Sequence, residues 1–345
     1  MKRILLLIPV LLTLIMPVSA LELDAPMVPK SGAEWMPRDT TSFGAGLIEL
    51  AENVILLRPE LKEAAGTCLS ITAVAMLLSI LKLLPGKRNW TADLAGVAVV
   101  SVILLKNCNA LIIQAAETIQ ELSNYAKLFF PVMAAAMAAQ GGATASVALY
   151  AGTTVFDSLL GSMMSGILVP AVYLFLSIAV GYAATGEGLL KRLRDFIKNA
   201  VSWSLKTLLT VFTTYMSITG VVSGTTDAAA LKATKVTISS VVPVVGGILS
   251  DASEAVLVSA GLMKNAAGVY GILAVLAVFL EPFVHISVQY LILKTAAALC
   301  GIFGEGSITT LTEDFSSAMG LLLAMTGSVC LLLLISTVCF MKGVG

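Results

Sequence analysis

From Ala318 to Phe340 the chain runs without a single charged side chain, and Ala64 to Leu81 does the same. About 20 apolar residues in a helix cross the ~30 Å hydrocarbon core of a bilayer, where every backbone N–H and C=O must find a partner inside the protein. Runs of this kind fold as spanning helices. Composition extends the argument to the whole chain. Of its 345 residues 58% are hydrophobic and only 12% charged, with a mean hydropathy of +0.96, against roughly 25% charged residues in a soluble domain. Ala, Gly, Ser and Thr crowd the apolar runs, which suits helices that pack closely through small faces. The expected fold is all-α, a polytopic membrane helix bundle.

The charge balance of +0 carries no sign of an anionic partner, and nothing in the sequence reads as nucleic-acid binding. Cys68, Cys108, Cys300, Cys330 and Cys339 are scattered in apolar runs with no CxxC spacing, so they read as buried thiols, not metal ligands. There is one histidine, no phosphate loop, no dinucleotide fingerprint and no hydrolase or kinase constellation. The expectation is a non-enzyme with no catalytic residues, no cofactor and no metal. Any ATP-driven step would need a separate ATPase.

Residues 1–20 have a basic start at Lys2 and Arg3, an apolar middle and Val18-Ser19-Ala20 at the positions a signal peptidase reads. They are expected to be a signal peptide, which places Leu21 outside the cytoplasm. Residues 21–63 form an extracytoplasmic segment with four prolines and eight acidic against four basic side chains. Within it Phe43 to Leu57 is amphipathic, with Leu47, Leu50, Ala51 and Val54 opposed by Glu49, Glu52 and Asn53. It reads as an interfacial helix or a docking face for another protein.

Residues 64–345 form the multi-spanning domain. Ala64 to Leu84 ends at Lys82, Lys87 and Arg88, a loop placed in the cytoplasm by the positive-inside rule. Leu94 to Ile113 returns outward, and the amphipathic stretch 115–127 is expected to lie along the outer surface. The stretch 189–206 (LLKRLRDFIKNAVSWSLK) is basic and amphipathic and reads as a cytoplasmic interfacial helix. An odd number of crossings must separate Lys127 from Lys191, and the intervening residues are too few for three. One span, Gly166 to Ala184, plus a re-entrant pair turning at Gln140-Gly141-Gly142 satisfies length and charge. The same reasoning gives an outward span Leu208 to Val222, an outer loop over 225–235, and a dip over Val236 to Leu262. Inward and final spans follow at Gly268 to Leu293 and Ala318 to Phe340.

The two interrupted segments, FFPVMAAAMAAQGGATASVAL (Phe129 to Leu149) and SVVPVVGGILSDASEAVLVSA (Ser240 to Ala260), each carry a proline before Val, a Gly-Gly pair and a small polar cluster. They suggest two re-entrant hairpins in a loosely duplicated arrangement; two kinked helices are the plainer alternative. Paired Gly/Pro interruptions point to a substrate path in transporters. Pro131, Gly141, Gly142, Pro243, Gly246, Gly247, Asp251 and Glu254 are therefore the candidate hairpin or pore-lining residues. Asp251 and Glu254 also suit helix capping. Glu281 and His285, at i and i+4 around Pro282, are a candidate intramembrane polar pair, either a satisfied core pair or a proton relay. Asp157 is a further intramembrane ionisable candidate.

The pattern AxK...PVVGxxxSDAxExVxxxxxxxKNAxG occurs here as Ala233, Lys235, Pro243 to Gly246, Ser250 to Ala252, Glu254, Val256, Lys264 to Ala266 and Gly268. On these residues the chain resembles the stage III sporulation protein AE family, best over Tyr215 to Gly271 and more loosely over Phe43 to Lys342. The resemblance implies a multi-pass subunit of a secretion-like channel complex in the mother-cell membrane around the forespore. The implied partners are ring-forming subunits, small membrane subunits, a secretion-type ATPase and, across the intermembrane space, a forespore membrane protein. It carries over no catalytic residues. Two rivals stand beside it: a self-sufficient secondary transporter of a small solute, and a scaffold that recruits ring proteins.

Overall fold

The computed structural model describes residues 26–342 except 41, 55–57, 84–89, 141, 242–245 and 305; for 54, 58–63, 82, 83, 90, 219–241 and 246–264 it describes the backbone alone. Every element among the described residues is helical. A short helix α1 (Lys30–Ala33) and α2 (Phe43–Val54) precede α3 (Arg58–Leu83) and α4 (Trp90–Ala139). There follow α5 (Ala143–Met163), a π-helical turn (Met164–Leu168), α6 (Val169–Thr185), α7 (Gly188–Val241), α8 (Gly246–Ile302) and α9 (Gly306–Lys342). Five stretches are long and apolar enough to cross a membrane: 64–81, 91–139, 143–185, 265–302 and 306–342. The chain is a polytopic membrane helix bundle.

The core grows along one stripe. On α4 the buried residues Val97, Val100, Leu104, Cys108, Ile112, Ala115, Ile119, Leu122, Ala126, Phe129, Met133 and Met137 follow one another at intervals of three or four, the spacing that keeps side chains on one helical face. The expected surface helix over 115–127 is thus the middle of α4. Of its polar side, Glu117, Gln120 and Asn124 stay exposed and Glu121 is half-buried. Its apolar side is continuous with the stripe above and below, so the helix does not turn aside. Pro131 lies within α4 on its exposed side, where the missing N–H leaves a carbonyl unbonded outside the core.

The helix ends where the Gly-Gly pair predicts: α4 stops at Ala139 and Gly142 is the N-cap of α5. The arms of this turn, however, are the ends of long helices. Residues 143–185 form one helical run instead of a hairpin arm and a separate span. The π-helical turn sits just before Pro170, and Val169 N–H reaches the Met164 carbonyl five residues back. Pro170 has no N–H for the Gly166 carbonyl, and the wider turn accommodates that loss.

The outer loop expected over 225–235 is a correction: α7 runs through it to Val241. The Ala228-Ala229-Ala230-Leu231-Lys232 run is rich in helix formers, and this outweighs the polar Thr and Asp before it. At the second Gly-Gly pair helical geometry resumes at Gly246, so Gly246 and Gly247 occupy the first turn of α8. Pro243 and Gly141 lie outside the described residues, as do residues 1–20, expected to be a signal peptide, and the side chains of Asp251 and Glu254.

Helices α8 and α9 form the most extensive pair, and α4 packs against both. Left-handed Gly186 (φ 72°) and Gly304 (φ 75°) make the tight α6–α7 and α8–α9 reversals. The N-terminal segment docks on α8. Leu50 packs with Leu273 and Ala277, and at Gly32 a Cβ would lie 2.9 Å from the Val278 backbone nitrogen. Ser31 donates to the Glu121 carboxylate of α4. The apolar face of α2 read from the sequence as a docking face thus meets its own chain at Leu50.

Candidate functional site

On α8 the polar residues Glu281, His285 and Gln289 recur every four positions and so share one face inside an apolar run. Lys106, Asn107 and Gln114 of α4 come opposite, with Thr67 of α3. His285, Gln289 and these four line a cavity of about 530 Å³ between the three helices. Asn107 Nδ2 donates to Thr67 Oγ1 at 2.6 Å. The Gln114 amide meets His285 Nδ1, Nε2 at 3.2 Å and Oε1 at 3.4 Å, and the imidazole tautomer decides which side donates. Gln289 is only 6% exposed, and its Nε2 has no partner among the described residues. An amide N–H buried without a bond costs about 1–3 kcal/mol.

Lys106 also borders a second cavity, of about 420 Å³, on another side of α4. There Tyr173 donates to Asn109 Oδ1 at 2.9 Å. Lys106 therefore lines both spaces.

The two members of the candidate polar pair, Glu281 and His285, each have a bond to another element. Glu281 Oε2 accepts from Trp35 Nε1 at 3.2 Å, and His285 meets Gln114. Asp157 is buried and accepts from Ser123 Oγ at 2.9 Å. Pro131 and Gly142 do not line either cavity. Thr67, Gln114 and Gln289 are the members that sequence reasoning passed over; the four-residue recurrence on α8 was the available signal for Gln289.

A second polar cluster joins α6, α7 and α9. Arg194 Nη1 donates to Asp314 Oδ2 at 2.8 Å, Nε and Nη2 donate to Asp195 Oδ1 at 3.0 and 2.9 Å, and the guanidinium carbon lies 4.9 Å above the Tyr182 ring. Burial works to lower the Arg194 pKa, but the bonds and charges of Asp195 and Asp314 outweigh it and raise it above its ordinary value. The guanidinium stays charged. Nearby, Lys198 Nζ donates to Ser317 Oγ at 3.0 Å.

No solved structure matches the chain. Stage III sporulation protein AE of Bacillus subtilis (strain 168) is 22% identical over 275 residues, covering 79% of this chain and 68% of that protein. The family model for stage III sporulation protein AE matches residues 49–343, a range that takes in all five apolar stretches, both cavities and the Arg194 cluster. With most of the helical bundle inside that match, the chain belongs to the stage III sporulation protein AE family and its role lies in sporulation.

Proposed function

We propose that the chain is a non-enzymatic, multi-pass subunit of a secretion-like channel complex linking mother cell and forespore, seated in the mother-cell membrane with its N-terminal segment outside the cytoplasm. The observation that carries this reading is the extent of the family match, residues 49–343: what the family shares is the bundle itself. The chemistry of the main cavity agrees, since amides, an ammonium, a hydroxyl and an imidazole can bind or guide a solute, and among the described residues its lining includes no paired carboxylates or activated nucleophile. Its partners on this reading are ring-forming subunits, small membrane subunits, a secretion-type ATPase and, through the complex, a forespore membrane protein.

The cavity also favours one rival, a self-sufficient transporter. Purified chain reconstituted alone in liposomes separates the two. The subunit reading expects no solute flux without companion proteins; flux from the lone chain would overturn it. Substitutions at Asp251 and Glu254 to Asn and Gln separate a path from a scaffold. A path element expects the complex to copurify intact while spore yield collapses, and unchanged spore yield would count against these two residues.

A further inference from the structure

The basic stretch 189–206 opens α7, which continues as one helix to Val241. Its apolar residues divide into two stripes. Ile197, Val201, Leu205, Phe212 and Met216 are buried against the bundle. Leu189, Leu193, Phe196, Trp203, Val211 and Ile218 are exposed, and at 3.6 residues per turn they line up along a second side of the helix. This exposed stripe passes without a break from the charged opening of α7 into a stretch, Thr207 to Thr226, that carries no charge. About 20 such residues cross a hydrocarbon core, so acyl chains cover the stripe at that end.

Charge is confined to the other end. Lys191, Arg192, Lys198 and Lys206 are all exposed, and helical spacing puts them on one flank between the two stripes. Of the nearby acids, Asp195 and Asp314 are taken up by Arg194, and Lys198 meets only the neutral Ser317 hydroxyl. The four exposed cations thus outnumber the remaining acids, Glu187 before the helix and Glu313 on α9. Tryptophan beside Lys and Arg at the end of a lipid-facing stripe suits a headgroup boundary. Their long stems lie along apolar surface while the charged ends reach outward.

We propose that the opening of α7 is a binding surface for anionic phospholipid. Headgroup phosphates meet the cations between Lys191 and Lys206, Phe196 and Trp203 enter between the headgroups, and acyl chains cover Val211 and Ile218. The continuity of the exposed stripe with the uncharged stretch selects lipid as its occupant, and the excess of cations selects an anionic one. The surface needs no companion protein, so it stands or falls apart from the channel reading.

The test uses the full chain with Trp35 and Trp90 replaced by Phe, which leaves Trp203 as the remaining tryptophan. It is reconstituted in phosphatidylcholine vesicles with brominated phosphatidylglycerol or brominated phosphatidylcholine at rising mole fraction. At low salt the anionic lipid is expected to half-quench Trp203 at a mole fraction at least about fivefold lower, the contribution of one cation at an anionic surface. Added salt is expected to shrink the difference by screening exposed charges. Lys191→Gln, Arg192→Gln and Lys206→Gln together are expected to erase it; Lys191→Arg, Arg192→Lys and Lys206→Arg are expected to keep it. Removing three exposed cations elsewhere, by Lys30→Gln, Lys127→Gln and Lys342→Gln, is expected to leave it unchanged.

Equal quenching by the two lipids in the parent chain overturns the proposal, as does a preference that survives the three Gln changes on α7 or is lost equally with the distant ones. Trp203 emission like that of indole in water, quenched by neither lipid, also overturns it and leaves an acidic protein surface as the occupant of the stripe.

Discussion

Asp314→Asn tests whether the bundle is pinned at its α7–α9 contact. Arg194 and Asp314, 120 positions apart, meet at 2.8 Å with side chains only 10% and 11% exposed, while Asp195, the other acid on the guanidinium, is 49% exposed. Removing one partner of a buried pair costs about 3–5 kcal/mol, because the remaining charge is stranded. Asp195 still holds Nε and Nη2, so the loss is expected near the lower bound, about 3 kcal/mol. Asp195→Asn breaks a half-exposed pair worth about 0–1 kcal/mol. Replacing both buried charges, Arg194→Met with Asp314→Leu, leaves no stranded group and recovers most of the loss. The assay is thermal or denaturant unfolding of the purified protein in detergent at neutral pH. The expected order is Asp314→Asn lowest, the double apolar variant higher, and Asp195→Asn near the parent. Equal effects of the two Asn variants, or a double variant less stable than Asp314→Asn alone, would refute the reasoning.

At Gly271 an added Cβ would fall 2.0 Å from Phe129 Cζ, and that ring is buried and stacked on Tyr125 at 5.4 Å. Gly271→Ala is expected to cost about 1–3 kcal/mol by overpacking, with partial rescue by Phe129→Leu in a double-mutant cycle. Trp35→Phe removes the bond to Glu281, so residues 26–54 should be cut faster by added protease while the remaining bundle melts unchanged. Phe196 and Trp203 are 68% and 69% exposed on the basic opening of α7. In a chain with Trp35 and Trp90 replaced by Phe, brominated lipids should quench Trp203; emission like that of indole in water would place this face elsewhere.

The bundle was legible because its cause is local: uncharged runs and the three-to-four spacing of apolar residues are printed along the chain. The same spacing contained the answer for 115–127, since Ala115, Ile119, Leu122 and Ala126 prolong the stripe of Leu104, Cys108 and Ile112. The polar residues on the opposite face obscured it. The turn at Gln140 to Gly142 was readable from glycine chemistry, whereas the length of its arms was set by burial of Phe129, Met133, Ala145 and Leu149. The cavity was not legible as a unit. Its walls come from α3, α4 and α8, and Thr67, Lys106 and Gln289 meet only through helix registers that no local pattern specifies.

Helix length and number of crossings part company in this molecule. At 1.5 Å per residue, the 50 residues of α4 and 57 of α8 extend about 75 and 85 Å, more than twice a ~30 Å hydrocarbon core. Counting crossings from charge alternation therefore cannot place the bilayer. Register can describe what a bilayer would meet. Gln114 faces His285 and Phe129 faces Gly271, so α4 and α8 run antiparallel; Ser316 bonds the Tyr290 carbonyl, one residue beyond Gln289. The cavity and the Arg194–Asp314 cluster thus lie at similar heights along α8 and α9. A solute path through this bundle has to pass that polar level. This makes Lys106, more than Gly142 or Gly247, the position where cysteine substitution and charged-reagent labelling should find water first. Labelling at the glycine turns with none at Lys106→Cys would return the path to the turns.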